Sequence, residues 1–72
     1  MEDMKRKIEE YVGIILHMHD MSPWRNEGNQ KRMNKIIEKC MSDLEASDRL
    51  IELLQNDKQI EYFVRQTILY MV

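Results

Sequence analysis

The stretch Met33–Leu54, MNKIIEKCMSDLEASDRLIELL, decides how this chain is read. Met33, Ile37, Cys40, Leu44, Ser47, Ile51 and Leu54 recur in steps of four and three, which puts them on one side of an α-helix. The pattern is a heptad seam with Ile37, Leu44 and Ile51 at one core position. Ile36, Met41 and Leu50 widen it past a bare coiled-coil stripe. The phase holds throughout, so the spacing predicts one long helix over about residues 29–55. The competing reading breaks it at Ala46-Ser47-Asp48, because Ser47 is a good N-cap.

Outward from this stretch, the punctuation is sparse. No Gly or Pro follows Gly28, and few β-branched residues other than isoleucine occur. Both features argue for helix. Upstream, SPWRNEG predicts a loop over about residues 22–28. Ser22-Pro23 reads either as an N-cap followed by a first-turn proline or as a simple turn. Before it, Met4, Ile8, Tyr11, Val12, Ile15, Met18 and His19 share one face of a helix over about residues 3–20. Gly13 falls on the opposite face, and Glu2 and Asp3 sit where the helix dipole favours anions.

Downstream, Asn56 and Gln59 have the spacing of a capping box, so a last helix is predicted over residues 57–71. Ile60, Phe63, Val64, Thr67, Ile68 and Met71 form its main face. Tyr62 and Leu69 form a second stripe on the far side. A helix apolar on two sides is either central in its bundle or half covered by another chain. The expected fold is therefore all-α: a small antiparallel bundle of three helices, four if the middle helix breaks near Ser47, with residues 1–72 as one domain.

The chain has 72 residues, 43% of them hydrophobic, and a net charge of −2. That suffices to fold but leaves a thin margin, and it leaves no room for a two-domain enzyme. One cysteine cannot staple the chain, so self-association or a partner is the expected source of extra burial. A homodimer is the simplest such form. Cys40 fits a reducing compartment, and the charged N-terminus MEDMKRKIEE does not read as a signal peptide. The longest apolar runs, Val12–Leu16 and Ile68–Val72, fall far short of the ~20 residues that span a bilayer. The expectation is a soluble cytoplasmic protein with no membrane partner. Its size and its many Ile, Lys, Asn and Met residues fit a phage or mobile-element protein.

No catalytic or metal constellation is expected, and no cofactor. His17 and His19 stand two apart, so on a helix they point about 200° away from each other and cannot share an ion. Cys40, on the seam, reads as a small buried hydrophobe rather than a nucleophile. No phosphate-cradling glycine loop and no nucleophile elbow occurs. What remains is surface. Trp24 with Arg25 reads either as a cap folded over the bundle or as an exposed anchor, and Tyr62, Leu69 and Tyr70 read as contact residues for another protein. These assign a protein-binding module: a regulator, inhibitor or adaptor acting by occupancy. An alternative is a homodimeric nucleic-acid-binding regulator, using a basic stripe of Lys31, Lys35 and Lys39 with Arg32, which faces away from the seam. A third is a structural subunit whose seam is completed by another chain's helix.

Overall fold

A computed structural model describes residues 2–71, with side chains from residue 3 onward; Met1, the Glu2 side chain and Val72 lie outside the described residues. The described residues form four helices and no strand: α1 (Glu2–Met18), α2 (Glu27–Ala46), α3 (Asp48–Leu53) and α4 (Asp57–Met71). The chain is an all-α bundle, as the periodicity implies.

Each helix end has a local cause. At the end of α1, the Met21 amide donates to the Leu16 carbonyl at 2.8 Å and the Asp20 amide to His17 at 3.1 Å. Asp20 adopts φ 60, the left-handed conformation that such a C-terminal motif requires. The helix therefore stops short of residue 20, and Met18 and His19, expected on the core face, are exposed. Ser22-Pro23 opens a turn, not a helix: the Arg25 amide donates to the Ser22 carbonyl at 3.1 Å, with proline at the second turn position, where its fixed φ fits. The N-cap of α2 is Asn26, whose side chain accepts from the Asn29 amide at 2.8 Å.

The long middle helix is broken. Ser47 is extended (φ −143, ψ 105), ending α2 and capping α3, where its hydroxyl accepts from the Leu50 amide at 3.3 Å. The continuous helix that the heptad phase favoured is thus not formed. An unbroken helix from Glu27 to Leu54 would be roughly 42 Å long at 1.5 Å per residue, against about 26 Å for α1. It would carry Leu50, Ile51 and Leu54 past anything that could cover them. The break folds them back instead: Leu54 joins the core, and Leu50 and Ile51 pack against it. Asn56 and Gln59 then start α4 with the reciprocal bonds of a capping box, at 3.0 and 3.2 Å.

α1 packs on both α2 and α4, and α2 on α4. α1 and α4 run the same way: Lys7 meets Asp57 at 3.1 Å near their starts, and Leu16 shares a groove with Ile68 and Met71 near their ends. α2 runs against both. Ile8, Val12 and Leu16 from α1, Ile36, Cys40 and Leu44 from α2, and Val64 from α4 are sealed from solvent. The α2 core thus includes Ile36 as well as Cys40 and Leu44, while Met33 and Ile37 are only half-buried. Gly13 does not lie on a solvent face: it is buried, because Trp24 folds back from the turn to cover it.

A Cβ at Gly13 would lie 3.7 Å from Trp24 Cη2 and 3.8 Å from Met33 Cε, both ordinary contacts. Gly13→Ala is therefore expected to stabilise the fold by roughly 0.5–1 kcal/mol through helix propensity, read as a rise in Tm of several degrees. A fall in Tm would show that Trp24 needs the bare backbone beneath it.

Candidate protein-docking surface

α4 carries two apolar faces. Ile60, Val64, Thr67 and Ile68 are buried against α1 and α2. On the far side Tyr62 is 65% exposed and Leu69 69%. Of the two readings of a doubly apolar helix, the helix is not central: its outer face is uncovered. Leu53, 57% exposed on the short α3, extends this surface. A groove of about 440 Å³ runs between α3 and α4, walled by Leu50, Leu53, Leu54, Tyr62 and Phe63 with Lys58, Gln59 and Gln66 at its edges. Sequence reading missed Leu53. The signal was present in the Leu53-Leu54 pair, since only one of two neighbouring leucines can occupy the seam.

Tyr70, 81% exposed, stands toward α2, with the Lys39 ammonium 5.7 Å from its ring centroid. It borders the same side of α4 rather than sitting within the α3–α4 groove. Trp24 and Arg25 belong elsewhere. Trp24 packs on α1 over Gly13, edge-on to His17 at 6.1 Å between ring centroids, and remains 74% exposed. It folds back over Gly13 and is still largely exposed. Arg25 is turned back onto Asp20 at 2.8 Å. The structure does not gather Trp24 and Arg25 with Tyr62 and Leu69 into one surface.

The basic stripe is also divided. Lys39 is half-buried and paired with Asp43 at 3.0 Å, which raises its pKa. Lys31, Arg32 and Lys35 do not stand on a flat polar face. They rim a groove floored by Leu16, Met21, Ile36, Ile68 and Met71.

Among the described residues, no three His, Cys, Asp or Glu side chains come together as a metal would require, and no helix is long and apolar enough to cross a membrane. Cys40 is sealed in the core beside Thr67. Burial pushes its thiol above the ordinary value of 9.0, against an opposing hydrogen bond with Thr67. The folded chain thus holds the thiol proton more tightly than the unfolded chain, a contribution fully present below pH 9.0 and lost as pH rises beyond it. In native protein at pH 8, Cys40 is expected to react with an aromatic disulfide reagent only as fast as the fold opens, and immediately in denaturant. Rapid stoichiometric labelling of the native chain would contradict this burial. No protein-family model matches the chain, nor does any curated protein or solved structure; the surfaces stand on their own chemistry.

Proposed function

We propose that this chain is a non-enzymatic protein-binding module that docks the outer face of α3 and α4 on another protein, acting as a regulator, inhibitor or adaptor by occupying that protein's surface. The observation that carries this reading is the second apolar face of α4. Tyr62 and Leu69 contribute nothing to the bundle core, and with Leu53 they leave large side chains in water. Isolated exposed apolar residues are ordinary, but Tyr62 and Leu53 wall one open apolar groove, and Leu69 stands on the same face of α4 two turns on, an arrangement that favours an interaction surface. Tyrosine suits such a role because it buries much area with few rotatable bonds. Trp24 offers a separate anchor on the α1–α2 side, where Arg25, paired with Asp20, has less to give.

The test is the double substitution Tyr62→Ser and Leu69→Ser. Both side chains point away from the core, so helicity by circular dichroism and Tm should be almost unchanged. Affinity capture from the native lysate, treated with nuclease, should lose its dominant protein with the variant and keep it with wild type. The same variant should lose any self-association seen by light scattering. Collapse of the fold would make the stripe structural, and unchanged capture would remove this face from the interface; either result defeats the proposal.

A further inference from the structure

We infer a second docking site: the groove between the first half of α2 and the end of α4, shaped for an acidic amphipathic helix of a partner protein. The groove holds about 470 Å³. Leu16 of α1, Ile36 of α2 and Ile68 of α4 lie at its base, themselves almost sealed from solvent, so its open apolar surface is that of Met21, half-buried, and Met71 at the end of α4, 41% exposed. Its rim is cationic and drawn from α2 alone, with Lys31, Arg32 and Lys35. Among the described residues no carboxylate lines it, and none of the three cations has an ion-pair partner. The Arg32 guanidinium lies 3.0 Å from Met21 Sδ, which holds it at the groove wall.

This combination selects the occupant. The open thioether surface of Met21 and Met71 is dehydrated by apolar side chains, and a one-sided cationic rim is matched by carboxylates on one flank of the same ligand. A helix with leucine-like residues at i, i+3, i+4 and i+7 and Glu beside them supplies both. The rim from Gly28 to Lys35 rises about 10 Å, or two helical turns, so a short helix covers it. Two methionines in the lining let the floor adapt to its shape. Docked there, the ligand would lie along α2 and α4 as the fourth long helix of the bundle. Nucleic acid fits less well. Phosphates and sugars leave Met21 and Met71 wet, and among the described residues no aromatic ring lines this groove on which a base could stack.

The inference rests on the chain being a protein-binding module, but not on the α3–α4 face, so the two can fail separately. The experiment is an NMR titration of the full isotope-labelled chain with a Leu-repeat peptide of about four turns flanked by Glu. Its controls are the same peptide flanked by Lys, a shuffled Glu peptide and a short DNA duplex. The Glu peptide is expected to shift amides around Ile36, Ile68 and Met71 and to bind at least about tenfold tighter than either control peptide. Lys31→Glu with Lys35→Glu should weaken it by about tenfold or more, while Tyr62→Ser with Leu69→Ser leaves it unchanged. Equal binding of the Lys peptide, preference for the duplex, or no binding would each overturn the inference. Shifts confined to Tyr62 and Leu69 would overturn it too, while supporting the α3–α4 face.

Discussion

The architecture depends on one local competition, at Ser47. Helix propagation through this residue would keep the heptad seam unbroken, while its side chain can instead cap a new helix. A cap of this kind is worth about 1 kcal/mol, too little by itself to decide against a run of good helix formers. Length decides it. α1 and α4 are about 26 and 22 Å long by helical rise, so a continuous helix of about 42 Å would overhang them by roughly three to four turns with Leu50, Ile51 and Leu54 uncovered. Breaking at Ser47 brings Leu54 into the core and turns the chain so that α4 can return. The cap selects where the break falls, and burial makes it worthwhile.

The exposed surfaces follow from that turn. With α3 short and folded under the bundle, α4 has α1 and α2 on one side only. Tyr62 and Leu69 remain outside, and α3 adds Leu53 to form the wall of a groove. At the other end, α2 and α4 converge on Leu16 without closing the space between them, which places Lys31, Arg32 and Lys35 over an apolar floor. Three long helices cannot cover one another completely, and two of the grooves this chain leaves lie on the two sides of α4. A continuous middle helix would present a different molecule, with its free seam seeking a second coiled-coil strand.

Legibility in the sequence tracked how local each interaction is. The α4 start was readable because Asn56 and Gln59 bond each other across three residues. The buried faces of α1 and α4 were largely readable from period; the exceptions are Leu16, sealed in the core but off the expected face, Met18 and His19 at the end of α1, which the left-handed Asp20 closes, and Met71, 41% exposed at the end of α4. Ser47 was ambiguous because Leu54 returns to the core at seam spacing, so the break leaves the heptad phase intact. Phase reports which side a residue faces, not whether a neighbouring helix is long enough to meet it. Gly13 was misplaced for a non-local reason, since Trp24 covers it from a turn beyond the helix end. Of the candidate site residues, Tyr62, Leu69 and Tyr70 were legible as surplus apolar side chains. The basic stripe was legible in composition, but its apolar floor depends on where α4 lies.

The most direct measurement is the backbone Cα chemical-shift profile of the full chain from Glu45 to Leu54, joined to nuclear Overhauser contacts of the same residues. The account predicts helical shifts through Ala46, an extended value at Ser47, helical values again to Leu53, and contacts from Leu50 and Leu54 to Phe63. Unbroken helical shifts from Glu27 through Leu53, with Leu50 and Leu54 making no contact to α4, would contradict it and return the chain to a long-helix coiled-coil reading.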